Sequence, residues 1–248
     1  MRAIILAAGF GTRLQPLTNK TPKPLLEVSG HPLIEWNLRL LHKYGITKVI
    51  INTHHLGDQI ETYLGNGTAL GMDITYSREK TILGTGGGIK QAEDFLTQSC
   101  NNSFIVLNAD TLLDINIKHL LNYHMAHNGS ATMVVRNDPN LSQWGTLELN
   151  PNGKILTILG QGKLPRDRTH PITQKMFAGL HIMHSSMLEN ILPGKESSII
   201  DTYIQHLKNG ISIYGYETTG YWSDVGTPKR YEETRQDAKT GKLKWIIW

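Results

Sequence analysis

Cysteine is almost missing from this chain. Cys100 is the only one among 248 residues, so no intrachain disulfide can form, although a chain of this length buries a full core without one. No run approaches the ~18 consecutive apolar residues of a membrane-spanning helix. The apolar stretch at the N-terminus is too short for a secretory signal and has no cleavage region behind it. The net charge is only +4 and no basic run is present. That gives no reason to expect nucleic acid, but it suits a small anionic substrate. The eleven histidines are scattered, and none forms a zinc-like cluster with cysteine. No internal repeat and no linker marks a domain cut. Hydrophobic residues make up 39% and charged residues 19%, ordinary for a globular protein. These absences leave one domain over residues 1–248, cytoplasmic and of enzyme size, with neither membrane nor nucleic acid as a partner.

Two glycine fingerprints are missing as well. An apolar run at residues 2–6 flows into Ala7-Ala8-Gly9-Phe10-Gly11-Thr12-Arg13. A P-loop would need Lys-Ser or Lys-Thr at a fixed spacing after the glycine, and no such pair follows. A dinucleotide fingerprint would need a third glycine where Leu14 stands. A strand running straight into small residues still lets backbone N–H groups approach phosphates closely. Arg13 and Lys23 add a fixed guanidinium fork and a mobile ammonium. For Gly9 and Gly11 taken by themselves, a tight strand-to-loop turn explains the glycines as well as a phosphate cradle does.

Further along, strand and helix patterns alternate. A helix opens at Pro32 and carries Leu33, Trp36, Leu40, Leu41 and Tyr44 on one face, with Gly45 as its stop. Strands follow over residues 48–52 and 73–77, with a helix over 58–64 between them. The glycine run at residues 84–88 opens a helix through Leu96, and a strand over 104–107 ends in Asn108-Ala109-Asp110. Such alternation predicts a parallel sheet of βαβ units, with ligands at the carboxyl ends of its strands. Both glycine segments and Asp110 fall along that edge.

The second half reads differently. Helices are predicted over 117–127 and 199–207, and strands over 131–136, 176–183 and 211–216. A hairpin turns at Asn150-Pro151-Asn152-Gly153. Residues 161–175 read as a polar flexible loop holding Pro165 and Pro171, and a last helix runs to Ala238. Residues 1–110 thus form mainly one half and 111–240 mainly another, with antiparallel pieces in the latter. The apolar tail Trp245-Ile246-Ile247-Trp248 packs on the body or on a second subunit.

Asp110 and Asp224 each have two readings. Either is a turn or cap residue, or the pair holds magnesium together with phosphate oxygens. Asn52, His54 and His55 follow a strand end, where one of them faces a site or serves as a structural hydrogen-bonder.

The whole string from Leu6 to Thr18, continued by Thr21-Pro22-Lys23-Pro24-Leu25-Leu26-Glu27-Val28, resembles the signature of the sugar-1-phosphate nucleotidyltransferases, or nucleotide-sugar pyrophosphorylases. Asn108-Ala109-Asp110 resembles the Gly/Asn-x-Asp element of that family, and Trp222-Ser223-Asp224-Val225-Gly226-Thr227 its Trp-x-Asp-x-Gly-Thr element. The resemblance covers nearly the whole chain. It implies an α/β, Rossmann-like, three-layer αβα nucleotidyltransferase fold, with a mixed, mostly parallel sheet and an antiparallel sugar-binding lid. It implies that nucleoside triphosphate and sugar 1-phosphate are joined with release of pyrophosphate. Leu6, Ala8, Gly9, Gly11, Thr12, Arg13, Lys23 and Gly86 would bind nucleotide, Arg13 and Lys23 as the catalytic cations. Asp110 and Asp224 would hold Mg2+. Asn108, Gly145, Glu148 and Gly179 would meet the sugar phosphate. One departure stands out: the family's Glu-Lys-Pro segment is replaced by Leu159-Gly160-Gln161-Gly162-Lys163, where Lys163 is either a phosphate contact or a solvated lysine.

Compactness and the Thr-Gly-Gly-Gly-Ile run look most like a small subgroup without the left-handed β-helix of larger relatives. It includes N-acetylmuramate 1-phosphate uridylyltransferases and mannose- or heptose-1-phosphate guanylyltransferases. The same fold serves choline-phosphate cytidylyltransferases and molybdenum-cofactor nucleotide transferases, from which the Trp222–Thr227 element separates this chain. A non-catalytic regulatory subunit would tend to lose the loop arginine or a metal aspartate, and Arg13, Lys23, Asp110 and Asp224 are all present.

Overall fold

The structure is a computed structural model that describes residues 1–98, 100–163, 171–244 and 246. The centre of the polar segment expected over 161–175, with Pro165, lies outside the described residues, as do Trp245, Ile247 and Trp248 of the apolar tail. In chain order the strands are β1 (Arg2–Leu6), β2 (Glu27–Val28), β3 (His31–Pro32), β4 (Lys48–Thr53), β5 (Asp73–Arg78), β6 (Ser103–Asn108), β7 (Thr111–Leu113), β8 (Ala131–Arg136), β9 (Thr146–Leu149), β10 (Ile155–Ile158), β11 (Gln161–Gly162), β12 (Thr173–His184), β13 (Ile213–Glu217) and β14 (Trp222–Asp224). The helices are α1 (Leu33–Lys43), α2 (Gly57–Leu64), α3 (Gly84–Gln91), α4 (Glu93–Leu96), α5 (Ile117–His127), α6 (Leu141–Trp144), α7 (Ile199–Lys208) and α8 (Pro228–Lys239). No helix among the described residues is long and apolar enough to cross a membrane.

The chain builds two compact units, and each draws on separated stretches. The first gathers Met1–Ile82, Leu107–Ile115 and Gly220–Trp248; the second gathers Leu83–Val106 and Asn116–Thr219.

In the first unit β1, β4 and β5 run parallel, from Arg2↔Lys48 to Leu6↔Asn52 and from Lys48↔Asp73 to Thr53↔Arg78. Ala3, Ile4, Ile5, Val49, Ile50 and Ile51 are all buried. Continuous apolar runs of this kind belong to parallel strands covered on both faces. Helix α1 buries Leu33, Ile34, Trp36, Leu40 and Leu41, and Gly45 ends it with φ 74° and an N–H donated to His42 O at 2.8 Å. A separate antiparallel ribbon pairs β7 with β14, from Trp222↔Leu113 to Asp224↔Thr111. Neither of these three-residue strands carries enough period to be read from sequence.

The second unit is mixed and mainly antiparallel. Strand β12 pairs with β9 over Thr173–Met176 and with β8 over Met176–Met183, β9 pairs with β10, and β13 runs parallel to β8. The predicted hairpin forms, with Gly153 at φ 75° and its N–H donated to Asn150 O at 3.0 Å. Both ends of the expected 161–175 loop are strand instead. Gln161–Gly162 pairs with β10, and β12 begins at Thr173. Lys175 is anchored there by Glu217 at 2.6 Å and Asn137 at 2.9 Å, so a lysine that reads as loop is drawn into the sheet. The mixed α/β class, with a parallel central sheet and antiparallel additions, is the one the sequence predicts.

Candidate active site

The loop after β1 is held from beneath. Ala7 N–H donates to Asn52 Oδ1 at 2.7 Å, and Asn52 Nδ2 donates to Glu79 Oε1 at 2.7 Å. Asn52 and Glu79 are both buried. Strand β4 runs parallel to β1, so its end delivers Asn52 where β1 stops pairing. Gly11 takes φ 65° ahead of a 3₁₀ turn at Thr12–Leu14, a conformation that favours glycine. The buried Thr18 hydroxyl donates to Gly11 O at 2.8 Å. Gly9 is different: a Cβ there would meet nothing within 4 Å. Phe10 is 44% exposed and its ring lies 5.4 Å from that of His54 and 5.6 Å from that of His55. Of the three polar residues at this strand end, Asn52 supports the loop, while the two histidines flank its aromatic side chain.

Two carboxylates sit on neighbouring backbone. Ala109 N–H donates to Leu6 O at 3.1 Å, and the buried Asn37 of α1 donates to Asn108 O at 3.3 Å and Ala109 O at 3.2 Å. These bonds fix the turn that presents Asp110. Val225 N–H then donates to Asp110 O at 2.9 Å, which places the end of β14, and Asp224 with it, alongside. Lys23 Nζ donates to Asp110 Oδ2, and Arg230 Nη1 donates to Asp224 Oδ1 at 3.3 Å. A Cβ on Gly226 would overlap Asp224 Oδ1 and lie 3.0 Å from Arg13 Nη2, so glycine there lets carboxylate and guanidinium share one space. Burial pushes the Asp224 carboxyl above its ordinary value, and the charge of Asp110 adds to this against the pull of Lys23, Arg230 and Arg13.

These groups surround a cavity of about 270 Å³ lined by Leu6, Ala7, Gly9, Gly11, Thr12, Arg13, Lys23, Pro24, Ala109, Asp110 and Gly226. All belong to the first unit. The donor set fits a hard divalent cation. Asp110 Oδ1 and Asp224 Oδ2 accept no hydrogen bond among the described residues. No group of three or more His, Cys, Asp or Glu side chains that could hold a metal occurs among the described residues, so phosphate oxygens and water would complete the shell, as is usual for Mg2+.

Ala8 is buried in the loop, and Asn108 ends β6 with its carbonyl on Asn37. Gly86, Gly145, Glu148 and Gly179 lie in the second unit. Gly86 N–H donates to Ser197 O at 2.8 Å, and a Cβ there would stand 2.7 Å from Ser197 Oγ. Gly145 has φ 81°, Glu148 Oε2 accepts the Thr157 hydroxyl at 2.7 Å, and Gly179 has φ 83° where the β8–β12 register slips. Lys163 is exposed, with its N–H on Leu156 O at 3.1 Å. Sequence reading missed Asn37, Glu79 and Arg230. Asn37 is buried within an ordinary helix pattern and Glu79 directly after a strand, and neither carries a signal. Arg230 had one: a cation in the first helical turn directly after the Trp-x-Asp-x-Gly-Thr string.

Solved structures share this fold. HddC from Yersinia pseudotuberculosis superposes with a TM-score of 0.78 at 22% identity, over 96% of this chain and 99% of that one. Among curated sequences, the chain is 35% identical to N-acetylmuramate alpha-1-phosphate uridylyltransferase of Neisseria meningitidis serogroup B, over 95% of this chain and 97% of that protein. It is 28% identical to UTP--glucose-1-phosphate uridylyltransferase of Synechocystis sp., over 98% of this chain but 65% of that protein. It is 32% identical to mannose-1-phosphate guanylyltransferase catalytic subunit beta of Drosophila melanogaster, over 93% of this chain and 60% of that protein. The chain thus spans less than two thirds of the length of these last two relatives. The family described as nucleotidyl transferase matches residues 2–241, and with a match of that extent the chain belongs to the nucleotidyl transferase family.

Proposed function

We propose that the protein is a magnesium-dependent sugar-1-phosphate nucleotidyltransferase, converting a nucleoside triphosphate and a sugar 1-phosphate to a nucleoside-diphosphate sugar and pyrophosphate. The observation that carries this reading is the cavity at the β1 loop, where Arg13 and Lys23 stand with Asp110 among the lining residues and Gly226 adjoins Asp224. An oxygen of the sugar phosphate attacks the α-phosphorus. One P–O bond forms, the bond to the bridging oxygen of the β-phosphate breaks, and its electron pair leaves with pyrophosphate. The attacking oxygen is already anionic, so no general base is needed, and catalysis rests on alignment and charge. The loop at Gly9 and Gly11 lets phosphates approach backbone. Arg13 carries charge on the departing pyrophosphate. Lys23 orients the α-phosphate or the incoming phosphate. Asp110 and Asp224 would hold Mg2+, which supplies charge neutralisation for phosphate oxygens when bound.

For the substrate pair we favour UTP with N-acetylmuramate 1-phosphate, because the uridylyltransferase relative is matched along 97% of its own length. GTP with mannose or heptose 1-phosphate is the second choice. With either pair the enzyme would act in the cytoplasm. Pyrophosphate release with magnesium, crossing UTP, GTP, CTP and dTTP with these sugar phosphates, tests the reading. Turnover with UTP and N-acetylmuramate 1-phosphate is expected. Asp110→Asn and Arg13→Ala are each expected to lower it on the order of a hundredfold or more. Wild-type turnover in either variant, or no pyrophosphate from any pair, overturns it.

A further inference from the structure

Each carboxylate of the candidate pair has a cation of its own. Lys23 takes Asp110 Oδ2, and Arg230 takes Asp224 Oδ1 at 3.3 Å. Lys23 comes from the loop and lines the cavity. Arg230 comes from the first turn of α8, and that turn is fixed at several points. Thr227 Oγ1 accepts Arg230 N–H at 3.3 Å, Arg230 O accepts the Thr234 hydroxyl at 2.7 Å, and the Tyr231 hydroxyl donates to Glu27 O at 2.8 Å. The Arg230 side chain is itself only 25% exposed. An arginine on pinned backbone, with its stem largely packed, loses little further freedom in holding an oxygen. Gly226 leaves room for the same Oδ1, so Asp224 has one oxygen fixed by the protein and Oδ2 with no donor among the described residues.

We propose that Arg230 is a positioning residue for Asp224 that also competes with the divalent cation for it. The guanidinium fixes the carboxylate through Oδ1 and draws charge from it. The ion therefore binds an aligned ligand of reduced strength, which favours its departure with the product. This inference rests on the reading of Asp110 and Asp224 as ion ligands.

The two effects have opposite signs, and that separates them from simple damage to the fold. In Arg230→Met, Mn2+ is expected to bind about three- to fivefold more tightly in the absence of nucleotide, the upper part of the range of a partly exposed ion pair, while turnover falls. Arg230→Lys keeps the charge and is expected to restore Mn2+ affinity to within about twofold of the starting protein, with turnover only partly recovered because the fork is lost. Free Mn2+ is counted by electron paramagnetic resonance on the full chain, beside Asp110→Asn and Asp224→Asn controls. Unchanged or weaker Mn2+ binding in Arg230→Met, with weaker binding in both aspartate controls, overturns the role of Arg230 and leaves the ion reading standing. Unchanged Mn2+ binding in the aspartate controls overturns the ion reading and this inference with it.

Discussion

The chain carries two glycine-rich segments, and they use glycine for opposite reasons. At Gly9 the missing side chain leaves empty space beside a cavity: a Cβ would meet nothing within 4 Å. In α3 the space is already filled by the chain itself. A Cβ on Gly84 would lie 2.6 Å from Ser197 O, one on Gly86 2.7 Å from Ser197 Oγ, and one on Gly87 would overlap Lys195 O. Backbone bonds close the same contact, with Gly86 N–H on Ser197 O at 2.8 Å and Ser197 N–H on Leu83 O at 2.9 Å. The first run leaves open space at Gly9, while its Gly11 serves a turn at φ 65°. The second lets the segment before α7 lie directly on a helix.

That contrast breaks most sharply under Gly→Ala. Gly87→Ala pushes a methyl into a backbone carbonyl that has no rotamer to escape through. It should cost about 2–3 kcal/mol by overpacking, even after alanine's better helix propensity is counted. Gly9→Ala should leave stability within about 0.5 kcal/mol yet reduce nucleoside triphosphate affinity, because phosphates would approach along the filled side. Denaturant midpoints and a nucleotide titration of the two variants decide this. Equal loss of stability in both would mean that the two runs do not differ.

The difference was not legible in the sequence, where one segment reads as a strand-to-loop turn, the other as a helix start, and both fall along the same sheet edge. What was legible has a local cause. The strands β1 and β4 are apolar runs, α1 has its period and its Gly45 stop, and Arg13, Lys23, Asp110 and Asp224 sit inside recognisable strings. What was hidden depends on contacts far apart in the chain. Ser197 against Gly86 is set by how α7 returns to α3. Asn37 under the Asp110 turn looks like any polar residue of an amphipathic helix. The division into units follows neither half of the sequence, since Leu107–Ile115 and Gly220–Trp248 rejoin the first. Lys175 reads as loop until Glu217 and Asn137 are brought to it.

A smaller effect sharpens the account of the first segment. If Gly9 faces a ligand, the loop needs support from another side, and Asn52 gives it by accepting Ala7 N–H and donating to Glu79. Asn52→Leu removes both bonds in a buried setting and should destabilise by about 1–2 kcal/mol. It should also raise KM for the triphosphate more than it lowers kcat, since the loop and not the reacting atoms is disturbed. Unchanged stability and KM would show that the loop holds its shape without Asn52.

The last contrast concerns polar groups in the two interiors. In the first unit the buried Asn52 has a partner at both its amide oxygen and its amide nitrogen. In the second, His181 is buried with neither ring nitrogen hydrogen-bonded among the described residues. It is stacked on Phe177 with ring centroids 5.3 Å apart and lies edge-on to Tyr203 at 5.5 Å. Burial pushes its pKa down to about 3. The unfolded chain takes up this proton near the ordinary value of about 6.5, while the folded chain stays neutral. Stability should therefore fall as pH drops from there toward 3, by at most about 1.4 kcal/mol per pH unit for this one proton. His124, also shifted down by burial, adds a slope of the same sign. His181→Phe keeps a stacked ring and removes the proton, so its unfolding free energy should be nearly that of the wild type at pH 7 and fall less steeply between pH 6 and 4. Parallel slopes in urea titrations of the two proteins would mean that His181 gains its proton in the folded state as easily as in the unfolded one.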